Sequence, residues 1–151
     1  MKRQQAGPTV LEVMQALWGL AHAMEAGSKR MHRDLGITGP QRLLLRVIGE
    51  SPGCAPGAAA RRLSLDPGTV SRLAARLEQR RLLRRDVDRA DRRRQRLTLT
   101  RRGEALASDH RGTVEGAARE ALARATPDEV RLARRFIHRL TESLIVPGRG
   151  K

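Results

Sequence analysis

Residues 61–102 carry fifteen Arg and five acids, a local excess of +10 in a chain whose formal charge is +15. Guanidinium groups attract phosphates by Coulomb force and bidentate hydrogen bonds, and binding to a duplex releases condensed counterions. A polyanionic partner is implied, nucleic acid or an anionic membrane, and the concentration of charge in one block selects nucleic acid. Lys2, Lys29 and Lys151 are the only Lys. A GC-rich genome accounts for Arg over Lys as readily as chemistry does, so the inference rests on net charge.

Other chemistry finds no residues to carry it. No glycine-rich phosphate loop precedes a helix, and no signature places a nucleophile beside a base, so an enzyme is not expected. The single Cys54 cannot form an internal disulfide, and His22, His32, His110 and His138 are too scattered for a metal site; neither metal nor cofactor is called for. One Trp, one Phe and no Tyr are too few for the aromatic stacking common in single-stranded RNA recognition. The apolar N-terminal stretch is interrupted by Glu12, Gln15, His22 and Glu25, unlike a signal peptide, and no apolar run approaches the ~20 residues of a membrane span. The expected compartment is the cytoplasm, with no membrane partner.

The elements that must present the arginines are read from periodicity and caps. From residue 9 to about 33, Val10, Val13, Met14, Leu17, Leu20, Ala21 and Met24 recur at helical spacing. Thr38 with Gln41 three residues later starts a second helix that runs to about residue 50. Residues 51–57 form a Pro/Gly loop, residues 58–63 a short helix, and Ser64–Leu65 a turn. Asp66 then caps a further helix with Pro67 at its first position; Val70, Leu73, Ala74 and Leu77 mark its apolar face, and Gly68, Thr69, Arg72, Arg76 and Gln79 lie opposite. Residues 83–86 and 95–99 read as a hairpin whose tip spans residues 87–94. Thr100 caps a helix carrying Leu106, Val114, Ala117, Ala118, Ala121 and Ala125, a small-residue stripe interrupted by Gly112 and Gly116. Thr126-Pro127-Asp128-Glu129 starts the last one, with an apolar seam of Val130, Ala133, Phe136, Ile137, Leu140 and Leu144.

Helix, turn, helix and basic hairpin in that order form a winged helix-turn-helix, whose second helix enters the major groove. Gly68, Thr69, Ser71, Arg72 and Arg76 are placed for it: small residues where backbone approaches, hydroxyls for phosphate or base contacts, and Arg for guanine acceptors. The competing assignment is that Thr69 and Ser71 merely support the start of the helix.

The run Asp66-Pro67-Gly68-Thr69-Val70-Ser71-Arg72-Leu73, with Leu77 to Arg85 after it, resembles the recognition helix and first wing strand of MarR-type transcription regulators. Asp91-Arg92-Arg93-Arg94 leading to Leu97-Thr98-Leu99-Thr100-Arg101-Arg102-Gly103 is similar to that family's wing and the start of its next helix. The chain departs from the pattern at Arg81 and Leu82, where the family commonly has Gly followed by a bulky apolar residue. The resemblance implies a mainly α fold with a small β-hairpin wing: an N-terminal dimerisation helix (1–35), a DNA-binding module (36–100) and C-terminal dimerisation helices (101–151). It further implies a homodimer that binds double-stranded DNA at a palindromic site, most simply as a repressor. Arg89, Arg92, Arg93 and Arg94 would contact DNA from the wing, with Arg93 reaching the minor groove and Asp91 supporting the wing. A small aromatic or phenolic effector is a further implied partner, and Trp18, His22 and Arg46 are candidates to line its pocket. Cys54 lies away from the N-terminal region where the oxidant-sensing relatives carry their reactive cysteine.

The alternative of another class is an architectural protein that binds DNA by charge without sequence preference. It has no need of a shaped recognition helix. A metal-sensing winged-helix repressor would require paired ligands on a helix, which the sequence lacks.

Overall fold

The structure, a computed structural model, describes residues 7–88, 91 and 94–145. In chain order its elements are α1 (Val10–Leu35), α2 (Gly39–Glu50), α3 (Pro56–Leu63), α4 (Pro67–Gln79), β1 (Leu83–Val87), β2 (Gln95–Leu99), α5 (Arg101–Ser108), α6 (Val114–Arg124) and α7 (Pro127–Ile145). The chain divides into two compact units, residues 1–114 and 115–151.

The helix starts follow from local chemistry. Thr9 and Glu12 satisfy each other's backbone N–H groups at the head of α1, at 2.7 and 3.3 Å. At α2, the Thr38 N–H donates to Gln41 Oε1 at 2.9 Å. Asp66 Oδ1 accepts the Thr69 N–H at 2.8 Å at the head of α4, and Thr100 Oγ1 accepts the Gly103 N–H at 3.1 Å at the head of α5. Each of these bonds pairs a donor that a helix leaves orphaned. α1 ends at Gly36, whose φ of +71° stops the helix at little steric cost.

In the first unit α2 is the central element. Leu44, Leu45 and Ile48 are fully buried and pack with Val70 and Leu77 of α4, Leu82, and Leu83, Leu97 and Leu99 of the hairpin. Burying each such side chain is worth about 1.5–3 kcal/mol, so this cluster decides which face of α4 turns inward. β1 and β2 are antiparallel, with Leu83 opposite Leu99 and Arg85 opposite Leu97. The loop between α2 and α3 adds a third backbone link: Leu97 N–H donates to the Cys54 carbonyl and Gly53 N–H to the Leu97 carbonyl, both at 2.9 Å.

The sequence reads as one helix from Thr100 to the alanine stripe, whereas the structure has two, α5 and α6, separated by residues 109–113. The cause lies on α2. Arg42, fully buried, donates to the carbonyls of Leu106, Ala107 and Asp109, which a continuing helix would need for itself. Carbonyl acceptors at a helix C-terminus also compensate the buried charge. Asp109 turns its carboxylate onto the Arg111 N–H, and Gly112 adopts φ +66° to complete the break.

The second unit buries none of its helical residues internally. Leu122 of α6 and Leu132, Phe136, Ile137, Leu144 and Ile145 of α7 are all exposed, as are Val10, Leu11, Trp18, Leu20 and Met24 on α1 in the first unit. No helix among the described residues is long and apolar enough to cross a membrane.

Two backbone positions at the junction of α4, the wing and α5 give opposite expectations. A Cβ on Gly103 would stand 2.0 Å from the Leu82 carbonyl oxygen, so Gly103→Ala must push backbone against backbone. It should cost about 3 kcal/mol in urea unfolding. Arg81 sits at φ +56°, which explains why glycine suits that position. Such a conformation costs a side-chain-bearing residue about 1–2 kcal/mol, and glycine's extra unfolded-state entropy returns about 0.5–1. Arg81→Gly should therefore stabilise by about 0.5 kcal/mol, read by the same titration.

Candidate nucleic-acid interface

α4 buries Val70, Leu73, Ala74 and Leu77, which leaves Gly68, Ser71, Arg72 and Arg76 on the solvent side and Thr69 half-buried. This is the division that the apolar spacing predicts. Three residues, Ser64 to Asp66, make the turn from α3, with Ser64 at φ +53°. The Asp66 carboxylate receives both the N–H and the hydroxyl of Thr69, and these donors hold its carboxyl below the usual carboxylate range. Arg72 Nη2 in turn donates to Thr69 Oγ1 at 2.8 Å. Arg76 is exposed and has no ion pair among the described residues.

The wing is fixed to α4 by a residue that the sequence reading did not single out. Arg85 of β1 donates to the Ser71 carbonyl at 3.0 Å, pairs with Glu78 at 3.2 Å and reaches Gln95 Oε1 at 3.4 Å. Its side chain is only 21% exposed. The signal was present in the strand alternation: Arg85 shares a face with Leu83, and that face looks toward the helix.

At the far end of the wing the Asp88 N–H donates to the Arg94 carbonyl and the Arg94 N–H to the Asp91 carbonyl, both at 2.8 Å. Asp91 also pairs with Arg94 at 3.2 Å, so it closes the tip both through its backbone and through its side chain. Asp88, again not singled out from sequence, holds Arg96 at 2.7 and 2.9 Å. Arg94 remains largely exposed. Arg89, Arg92 and Arg93 lie outside the described residues.

Trp18 and His22 are exposed on α1. Arg46 is half-buried on α2, 3.7 Å from Glu50 and 3.4 Å from the Ala107 carbonyl. A cavity of about 300 Å³ between the ends of α1 and α4 and one face of α5 is lined by Leu35, Arg80, Leu82, Arg102, Leu106 and Asp109, and by none of these three. Cys54 is half-buried against the core, and burial raises its thiol pKa, which reduces the reactive thiolate at neutral pH. Among the described residues no three His, Cys, Asp or Glu side chains gather as metal ligands would.

A helix-turn-helix with an arginine-lined outer face and an attached basic hairpin is a winged-helix module. The MarR family model matches residues 35–94, from the end of α1 to the wing. Over 106 residues the chain is 32% identical to the HTH-type transcriptional repressor Mb2911 of Mycobacterium bovis, covering 70% of this chain and 76% of that one. The fold matches the DNA complex of MepR from S. aureus with a TM-score of 0.72 at 22% identity, over 87% of this chain and 97% of that one. It matches PcaV of Streptomyces coelicolor, solved with its natural ligand, with a TM-score of 0.70 at 21% identity, over 93% and 99%. The chain belongs to the MarR family and is a DNA-binding transcription regulator, not an enzyme.

If Arg85 braces the wing, Arg85→Met, which keeps much of the apolar stem, should cost about 1–2 kcal/mol of stability. It should also speed amide exchange in Leu83–Val87 and Gln95–Leu99 relative to α2. Exchange that stays unchanged in both strands would show that the wing is held by other contacts.

Proposed function

We propose that the protein is a cytoplasmic repressor that binds a palindromic operator as a homodimer. The observation that carries the reading is the outer face of α4. Arg72 and Arg76 stand one helical turn apart on a surface that also carries Gly68, Thr69, Ser71 and Gln79, a layout suited to base edges in a major groove. A charge-only compacting protein has no need of such a face. The name of the Mycobacterium bovis relative supports repression.

What supports the dimer is apolar surface that the described residues leave uncovered. Val130, Ala133, Ile137, Leu140 and Leu144 line α7 without being buried in their own unit, and α1 exposes Val10, Leu11, Trp18 and Leu20. Apolar stripes of this extent on a water-dispersed protein call for a partner, and a second copy supplies two matching winged modules for two half-sites. The domain division of this reading is residues 1–35 and 101–151 for dimerisation and 36–100 for DNA.

The reading includes a small aromatic or phenolic effector that weakens DNA binding by favouring a dimer whose recognition helices are wrongly spaced. Trp18 and His22 offer aromatic surface for it and Arg46 a cation.

Light scattering at micromolar concentration should report twice the chain mass, and Ile137→Glu with Leu144→Glu should reduce folded dimer. A stable, folded wild-type monomer would contradict the dimer.

Selection from a random duplex pool should return an inverted repeat. On that site Arg76→Ala should lose about 1–3 kcal/mol of binding, with a smaller loss on a scrambled duplex. Equal wild-type binding to both duplexes at every salt concentration would replace the regulator reading with the compacting one.

A further inference from the structure

Thr69 and Arg72 both occupy the DNA-facing side of α4, but their polar atoms are committed differently. A hydroxyl has one proton to give and lone pairs to receive. Thr69 gives its proton to Asp66 Oδ2 and receives an N–H from Arg72 Nη2 at 2.8 Å, while its own backbone N–H goes to Asp66 Oδ1 at 2.8 Å. The chain Asp66–Thr69–Arg72 thus runs in two three-residue steps along the first two turns of α4. Gly68 leaves room for it: a Cβ there would stand 3.1 Å from Asp66 Oδ1 and 3.6 Å from Arg72 Nη1, so the guanidinium lies back over the first turn.

An unrestrained Arg on a helix surface samples many rotamers, and ordering it on binding opposes affinity. A guanidinium pinned at one Nη keeps its remaining donors for a bidentate contact, the geometry that distinguishes a guanine edge. We propose that Asp66 and Thr69 are positioning residues for Arg72, and that Arg72, held by them, determines base specificity at the N-terminal end of α4. Thr69 acts through Arg72 and contacts no base itself. This rests on the palindromic-operator reading, so the test reads the ordering of Arg72 separately from DNA discrimination.

The first measurement is the side-chain 15N spectrum of free protein at low temperature. Rotation about the Arg72 Nε–Cζ bond should be slowed in wild type and in Thr69→Ser, and free in Thr69→Val. Free rotation in wild type would overturn the proposal. The second is binding to the selected palindrome and to the same site with one G·C pair replaced. Arg72→Ala should lose about tenfold on the palindrome, and Thr69→Val part of that. Thr69→Ser should bind like wild type.

The double variant Arg72→Ala/Thr69→Val should bind no more weakly than Arg72→Ala alone, because a residue that works through Arg72 has nothing left to lose. Additive losses would show Thr69 touching DNA directly and overturn the proposal. Melting temperatures accompany each variant, and Asp66→Asn, which keeps a capping oxygen but removes one acceptor, replaces Thr69→Val if the latter fails to fold. Equal wild-type binding to cognate and scrambled duplexes would sink the operator reading and the specificity role of Arg72 together. The 15N spectrum would still decide whether its guanidinium is ordered.

Discussion

The module must hold fifteen arginines within 42 consecutive residues against their mutual repulsion. Two like charges 4 Å apart cost about 1 kcal/mol even in bulk water, and more beside protein. The five acids of that block are all engaged in meeting this constraint. Glu78 pairs with Arg85, Asp86 with Arg84, Asp88 with Arg96 and Asp91 with Arg94, while Asp66 reaches Arg72 through Thr69. Exposed pairs of this kind add little stability one by one. Their effect is geometric: they decide which arginines lie along the protein and which face outward, and the remaining excess of positive charge is left for a polyanion.

The same economy joins the basic surface to the core. α4 cannot roll, because Val70 and Leu77 are locked into the α2 cluster, and the wing cannot swing, because Arg85 grips the carbonyl of Ser71 in α4. Arg42 works on the other side of α2, ending α5 by taking its last carbonyls. A single helix, α2, therefore carries the apolar seat of the recognition helix on one side and the terminus of α5 on another. A shift of α2 would reach both.

What was legible in the sequence was what local chemistry dictates. Asp66-Pro67, Thr38 with Gln41 and Thr126 with Glu129 announce helix starts because donor and acceptor lie three residues apart. The outward face of α4 was legible because 3.6-residue periodicity leaves one solution for Val70, Leu73, Ala74 and Leu77. Even the conformation at Arg81 left a trace, as a position where the family pattern has glycine. The break between α5 and α6 left only the interruption at Gly112 in the sequence, and its cause, Arg42, stands more than sixty residues earlier in the chain. The Arg85 brace was half legible, since strand alternation puts it on the helix-facing side with Leu83. Its acceptor is a backbone carbonyl fourteen residues away, which no side-chain pattern reveals. Trp18, His22 and Arg46 were grouped by residue type, and within one protomer the aromatic pair is exposed on α1 while Arg46 is engaged with Glu50 and Ala107.

The central claim is that the basic module is assembled against electrostatic repulsion that DNA relieves. Its most direct test is the melting temperature of the protein across NaCl concentration, with and without duplex DNA. Salt screens repulsion among exposed charges, so the free protein should melt higher as NaCl rises, while the increment contributed by DNA should shrink with log salt. A free-protein melting temperature that stays flat or falls with salt, or a DNA increment indifferent to it, would contradict the account.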